Sequence, residues 1–379
     1  MITVVAGTRP NFMKVAPVHR ALTRRGLEVR LIHTGQHFDA SMSDVFFRDL
    51  GLPTPAVRLH VGGGSHAEQT AAALVGIAMD LEAHRPSMTI VVGDVTSTLA
   101  GALAASKLGI PLVHVESGLR SRDWTMPEEI NRVVTDHLAD LLLTSSRDAR
   151  PNLIAEGLEP SRIVFVGNVM IDSMHHARRR GTEILARHGL EPGAYALATL
   201  HRPVNVDTAA ALGATIDAVA AIARRIPLVF PVHPRTLARA ADLGLLERLR
   251  STPGLATIEP LGYDDFVTLM ASAKLVATDS GGIQEETTAL GIPCLTLREG
   301  TERPITVVEG TNVITGIDPG RIDHEVAEIL AGRGKRGTVP EGWDGHSGER
   351  VAEALLAFLA GWPPARTAHA RFAKEDDSP

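Results

Sequence analysis

Short apolar runs rich in Val, Ile and Leu recur along the chain, separated by longer segments whose apolar positions follow a helical period. In the first half the runs fall at 3–6, 29–33, 89–92, 112–115, 141–144 and 163–166. Helical patterns lie between them, at 97–108 and 128–138 for example. A strand that is apolar throughout, rather than alternately, is buried on both faces. Such strands separated by helices predict a parallel sheet covered on both sides. The pattern then restarts, with runs at 195–200, 228–232, 256–259, 275–278, 293–297 and 312–314. The expected fold class is α/β, with two doubly wound, Rossmann-like domains in tandem.

The break falls within 174–192, a charged stretch that contains Arg178-Arg179-Arg180 and reads as a solvated helix face. The expected domains are residues 1–173 and 174–360. The last helix, 348–359, is expected to pack back toward the first domain, and the polar tail 361–379 to be disordered. A length of 379 residues suits two cores better than one. Ligands of open α/β sheets sit at the carboxyl ends of the strands, so two such domains facing each other predict an active-site cleft between them.

Charge narrows the partners. The net charge is −6 with Lys and Arg scattered, whereas a nucleic-acid partner calls for a concentrated basic surface. No apolar stretch approaches ~20 residues, the length that crosses a bilayer. The N-terminal Ile2-Thr3-Val4-Val5-Ala6 reads as a strand, not a signal peptide, so the cytoplasm is the expected compartment. The single cysteine, Cys294, lies in an apolar run and reads as a core residue; no paired cysteines suggest zinc.

Candidate chemistry gathers at predicted strand ends. Gly7-Thr8-Arg9-Pro10-Asn11-Phe12-Met13-Lys14 links the first strand to the first helix, and Arg9 and Lys14 put two cations at a helix N-terminus, where anions are already favoured. The spacing is not that of a dinucleotide fingerprint. Asp94 follows the run 89–92, where the plain alternative is a helix N-cap. Glu116 follows 112–115. Pro127-Glu128-Glu129 reads as a helix start, with Glu128 and Arg132 spaced i, i+4 to share a face and pair. Each carboxylate has an ordinary explanation. Together, Asp94, Glu116 and Glu128 place three acids on one sheet edge, where crowding raises pKa values as general acid/base chemistry requires.

The second half adds His201-Arg202-Pro203 and His233-Pro234 at strand ends, and one sharper signal. Thr278-Asp279-Ser280-Gly281-Gly282-Ile283-Gln284-Glu285-Glu286 reads as strand, Ser-Gly-Gly turn and helix. Backbone N–H groups at Ser280, Gly281 and Gly282 and the helix dipole converge on one spot suited to a diphosphate. Glu286, one turn further in, would repel phosphate and suits a neutral hydroxyl pair such as a ribose.

These motifs resemble, in order, those of the non-hydrolysing UDP-N-acetylglucosamine 2-epimerases: GTRP with its following Lys, VxGD, VExGLR, PEExNR, HRP, TDSGGIQEE and Thr301-Glu302-Arg303-Pro304. The resemblance runs from about residue 3 to about residue 359. It implies two Rossmann-like domains in a GT-B arrangement and a homodimer. It also implies reversible C2 epimerisation of UDP-N-acetylglucosamine through elimination of UDP to a 2-acetamidoglucal and re-addition, with no redox cofactor and no metal. By motif, Asp94, Glu116 and Glu128 correspond to the catalytic carboxylates. Arg9, Lys14, Arg132, His201, Ser280, Gly281 and Gly282 correspond to positions that hold phosphates or support catalysis, and Glu286 to the ribose contact. His233 is a further candidate for UDP binding.

Two stretches depart from the commoner pattern. Asn11-Phe12-Met13 replaces the middle of GTRPEAIK, and His201-Arg202-Pro203-Val204-Asn205 replaces an HRREN-type stretch. Both bear on which sugar is taken more than on the reaction class. A TAQHRxML-type loop, which contributes to a second, activating UDP-sugar site in bacterial members, reads here Thr34-Gly35-Gln36-His37-Phe38-Asp39. Glu68 precedes Gln69-Thr70, where that site uses an Arg. Three rivals remain: a hydrolysing 2-epimerase, a GT-B glycosyltransferase, which would need an acceptor and not three acids, and a non-catalytic UDP-sugar sensor, which would not retain them.

Overall fold

The computed structural model describes residues 1–35, 47, 50–178 and 183–361, with Arg9 and Arg178 described by backbone alone. The chain divides into two compact units. One comprises Met1–Ser173 with the C-terminal segment that begins at Glu341, and the other Met174–Pro340.

The first unit carries β1 (Ile2–Ala6), α1 (Arg9–Arg24), β2 (Val29–His33), β3 (Val57–Arg58), α2 (His66–His84), β4 (Thr89–Val92), α3 (Thr96–Lys107) and β5 (Leu112–Ser117). These are followed by α4 (Pro127–Leu138), β6 (Leu141–Thr144), α5 (Ala149–Ala155), β7 (Ile163–Phe165) and α6 (Val169–Arg178), which ends across the unit boundary. Among the described residues its sheet runs β3-β2-β1-β4-β5-β6-β7, all parallel. The continuous apolar runs are buried on both faces as expected: β1, β4 and β6 hold no exposed position. β3 was invisible to periodicity because two residues show none.

The second unit carries β8 (Ala196–Thr199), α7 (Ala209–Ala223), β9 (Leu228–Pro231), α8 (Pro234–Asp242), β10 (Leu255–Ile258), α9 (Tyr263–Ser272) and β11 (Leu275–Thr278). It closes with α10 (Gly281–Leu290), β12 (Cys294–Thr296), β13 (Asn312–Ile314) and α11 (Pro319–Leu330). Its parallel sheet runs β10-β9-β8-β11-β12-β13, the same winding as the first. In both sheets the order reverses beside the first strand, the position where doubly wound folds bind ligands. Cys294 is fully buried on β12, and that burial pushes its thiol up to about 12, the state of an inert core residue.

The chain then returns to the first unit as α12 (Ser347–Leu359), which packs against α1. Asp172 on α6 accepts the backbone N–H groups of Ser347 at 3.0 Å and Gly348 at 2.7 Å, satisfying the N-terminus of α12. Arg24 at the end of α1 and Arg25, its C-cap residue, both pair with Glu349. The tail beyond 361 and the arginines of the 178–180 run lie outside the described residues or side chains. No described helix is long and apolar enough to cross a membrane.

Candidate active site

In the first unit the site grows from the carboxyl ends of β1, β4 and β5. Asn11 ties two of them together. Its Oδ1 accepts Gly7 N–H at 3.2 Å at the end of β1, and its Nδ2 donates to the Val92 carbonyl at 3.0 Å at the end of β4. One turn further along α1, Lys14 Nζ lies 2.7 Å from Glu116 Oε1, with both side chains almost fully buried. Glu116 holds a left-handed backbone, φ 70°, rare for a residue with a side chain. The β5–β6 register shifts around it, between Val115 and Ser117. Gly93, between Val92 and Asp94, completes the seat. A Cβ there would lie 3.1 Å from Lys14 Nζ and 4.0 Å from Glu116 Oε1, and its φ of 69° also favours glycine.

Asp94 was open to reading as a helix cap, but the N-cap of α3 is Val95 and the Asp94 carboxylate pairs with Arg132 of α4. Asn131 adds a 2.9 Å hydrogen bond to the Asp94 carbonyl. The expected Glu128–Arg132 pair does not form. Arg132 is buried and joins Glu129, at i, i+3, instead. Glu128 points outward, exposed and, among the described residues, without a hydrogen bond or ion pair, because the inward face of α4 is that of Glu129, Arg132 and Asp136. Burial pushes the Glu129 carboxyl up. Hydrogen bonds from the Ser121 and Arg122 backbone, with Arg132 beside it, outweigh that and hold it below its ordinary range. A cation faces each of the other two candidates: Lys14 the buried Glu116, and Arg132 the partly exposed Asp94, which shares it with Glu129. Arg9 opens α1, and its side chain lies outside the description.

The second unit builds its site around Asp279, the residue before the Ser-Gly-Gly turn. Fully buried, Asp279 accepts the backbone N–H groups of His201 at 3.0 Å and Arg202 at 2.9 Å and the Asn205 amide at 3.0 Å. It thereby pins the loop after β8 to the end of β11. His201 Nδ1 lies 3.4 Å from the same carboxylate, and half of its ring faces solvent. His233 caps α8, its Nδ1 accepting Arg235 N–H at 3.2 Å, and its ring centroid lies 6.1 Å from that of His201. Ser280 is the N-cap residue of α10, and Gly281 and Gly282 form its first turn, where N–H groups have no helical acceptor.

Gly281 is needed because Glu302 approaches it: a Cβ there would meet Glu302 Oε1 at 2.9 Å. Glu302 is held by Arg298 at 2.8 Å and Arg202 at 3.0 Å. Burial alone would push its carboxyl up, but Arg303, Arg202 and Arg298 hold it well below the usual range. So the N-terminus of α10 is bordered by a carboxylate with its own arginine shell, which the Thr301-Glu302-Arg303-Pro304 motif supplies. Glu286 is the opposite case. It is fully buried, and burial with Glu285 nearby outweighs the Tyr263 hydroxyl bond and pushes it up to about 8. Its Oε2 has no hydrogen-bond partner. A buried acid with one oxygen open is consistent with a contact to sugar hydroxyls rather than to phosphate.

Sequence reasoning missed Asn11, Asp136, Asp279 and Glu302 as organisers of these sites. Asp279 and Glu302 were legible as motif letters but carried no role, since the contacts that tie each to the loop after β8 span 77 and 100 residues. Among the described residues no group of His, Cys, Asp and Glu could hold a metal ion.

Two Rossmann-like units, each with polar residues gathered at the carboxyl edge of its parallel sheet, have the architecture of an α/β enzyme of the nucleotide-sugar class. The UDP-N-acetylglucosamine 2-epimerase family model matches residues 20–356, and the chain belongs to that family. It is 38% identical over 361 residues to the UDP-N-acetylglucosamine 2-epimerase of Methanocaldococcus jannaschii, covering 93% of this chain and 98% of that one. It is 41% identical over 363 residues to the UDP-2,3-diacetamido-2,3-dideoxy-D-glucuronate 2-epimerase of Pseudomonas aeruginosa, covering 95% and 99%. The crystal structure of the M. jannaschii enzyme in complex with UDP-GlcNAc and UDP superposes with a TM-score of 0.86, covering 94% of this chain and 99% of that one at 38% identity.

Proposed function

We propose that this enzyme interconverts UDP-N-acetylglucosamine and UDP-N-acetylmannosamine without net hydrolysis. A carboxylate of the first unit takes the C2 proton, and the C1–O bond to UDP breaks as the C1–C2 double bond of a 2-acetamidoglucal forms. A UDP oxygen then re-adds at C1 while a second acid delivers a proton to the other face of C2. Atoms and charge balance without an external oxidant or reductant. The observation that carries this reading is that two acids of the first unit are each set against a cation: the buried Glu116 with Lys14 and the partly exposed Asp94 with Arg132. Glu128, exposed on α4, is the third acid by resemblance. Arg9, Lys14 and Arg132 from the first unit, and Ser280, Gly281, Gly282, His201 and His233 from the second, are proposed to hold or support the diphosphate, and Glu286 the ribose.

A second sugar has a specific observation behind it: the P. aeruginosa relative, at 41% identity, acts on a 2,3-diacetamido glucuronate. The reaction at C2 would be the same. The cytoplasm is the proposed compartment and a homodimer the proposed assembly.

The test is incubation with UDP-N-acetylglucosamine alone in heavy water, followed by NMR. Both UDP-linked epimers carrying deuterium at C2 support the proposal. Free N-acetylmannosamine with UDP would assign the hydrolysing reaction, and no product until an acceptor is added would point to a glycosyltransferase. No C2 chemistry with this sugar, but turnover of the 2,3-diacetamido glucuronate, would assign the second substrate.

A further inference from the structure

Glu116 is one of four non-glycine residues of the first unit with positive φ among the described residues, with His60, Arg85 and Arg122, and the structure shows what grips it. Two residues before it, His114 is fully buried with both ring nitrogens against oxygen acceptors: Nδ1 at 2.6 Å from Asp136 Oδ1 and Nε2 at 2.8 Å from the Gly93 carbonyl. Two residues after it, Gly118 N–H donates to Asp136 Oδ2 at 3.1 Å. One carboxylate on α4 therefore holds both ends of the segment 114–118, with Glu116 at its apex. Gly93, gripped through its carbonyl by His114, also donates its N–H to the Val115 carbonyl at 3.0 Å and forms the wall against Lys14 and Glu116.

Asp136 is itself locked. It is fully buried and its Oδ2 lies 2.8 Å from Arg120 Nη2, which continues to Glu156 at 2.6 Å. Burial pushes its carboxyl up, but His114 and then Arg120 outweigh that and keep it ionised below the ordinary range. A non-glycine residue at positive φ costs on the order of 1–3 kcal/mol and persists only where its surroundings overdetermine it. Here the two hydrogen bonds to Asp136 supply that constraint, and they leave the Glu116 side chain directed at Lys14.

We propose that Asp136, acting through His114 and Gly118, is a positioning residue that sets the Glu116 carboxylate for proton transfer at C2. This rests on the proposed reading of Glu116 as one of the catalytic acids. Asp136 touches no reacting atom. Its effect is geometric: displacing a catalytic group by about 1 Å can cost ~10²-fold in rate.

The test compares Asp136→Asn and His114→Gln with Glu156→Gln, which loosens the far end of the same network. For the first two, turnover should fall ~10- to 100-fold while the KM for the UDP-sugar and the calorimetric affinity and stoichiometry for UDP stay near wild type. Glu156→Gln should keep turnover within about twofold, as expected of a partner outside the segment. A loss of turnover matched by an equal loss of UDP-binding sites would mark a merely structural role and overturn the proposal. So would unchanged turnover in folded His114→Gln. If Asp136→Asn does not fold, His114→Gln decides. Crystal structures of the variants give a readout independent of activity. Glu116 should leave the left-handed region or separate from Lys14, and an unchanged φ and Lys14 distance would sink the inference. If the wild type proves not to epimerise, the functional reading fails, and that geometric measurement still judges the role of Asp136.

Discussion

Lys14 and Glu116 meet at 2.7 Å, with side chains 9% and 2% exposed, although 102 residues separate them. A pair this deeply buried needs both partners, because removing one leaves an uncompensated charge away from water. Under the proposed mechanism Glu116 is therefore both a reacting acid and part of what holds the fold together.

That double role separates the three acids. Asp94→Asn, Glu116→Gln and Glu128→Gln should each lower turnover by ~10²-fold or more, a common share for acid/base steps, while UDP affinity changes little. Stability should not follow the same order. Glu116→Gln leaves Lys14 unpaired and should cost about 3–5 kcal/mol. Glu128→Gln, on an exposed side chain, should stay within about 0.5 kcal/mol. Steady-state kinetics with urea unfolding checks both. Equal stability losses at positions 116 and 128 would contradict the burial assigned to them, and near-normal turnover in all three would remove the mechanism.

Glu286 should give the protein a recognisable pH signature. Its folded pKa, about 8, lies above the ordinary carboxyl value of 4.5, so the folded state keeps this proton where the unfolded state loses it. Its contribution to stability is complete below about pH 4.5 and is lost as the pH rises toward 8, with a slope of up to about 1.4 kcal/mol per pH unit from this one proton. Glu286→Gln should remove this slope, so that the wild-type-minus-variant difference in denaturant unfolding curves falls as the pH rises through that window. A difference that does not vary between pH 5 and 8 would show that the carboxyl is ionised throughout.

The cap on α12 offers a test that leaves the chemistry aside. Asp172→Ala removes the acceptor for Ser347 and Gly348 N–H and should destabilise by about 1–2 kcal/mol, the usual range for losing a helix cap. Turnover per folded molecule should be unchanged. A lowered turnover with unaltered stability would mean that α12 reports on the site and not on the fold.

Regulation is the fourth expectation. Glu68 stands where the bacterial activating site uses a cation, and it closes a capping box at the start of α2, its Oε2 accepting Ser65 N–H at 2.7 Å and Ser65 Oγ–H at 2.8 Å. Those hydrogen bonds hold its carboxyl below the ordinary range, so it stays charged and repels a diphosphate. Gln36, His37 and Asp39 of the companion loop lie outside the described residues. The reverse reaction, started from UDP-N-acetylmannosamine alone, should run without a lag. Silence until the gluco epimer is added would show that an activating site is built from other residues.

The alternation of apolar runs and helical stretches was enough to determine two parallel sheets, because strands buried on both faces need no partner information to declare themselves. The motif letters likewise pointed to Lys14, Glu116, Asp94 and the Ser280–Gly282 turn as candidates, since they fall at or beside strand ends, where ligands bind in this fold. Which carboxyls are buried was beyond the sequence. Glu128 and Glu129 are adjacent and chemically equivalent, and only the rotation of α4 against its sheet turned Glu129 inward to Arg132 and left Glu128 in solvent. The same holds for Asp136 and Asp279: each organises a segment from a different element, so its role exists only once the chain has closed the distance. Local pattern determined the elements and the chemistry available at their ends. Tertiary packing decided which charges lost their water, and with it which of them had to find a partner.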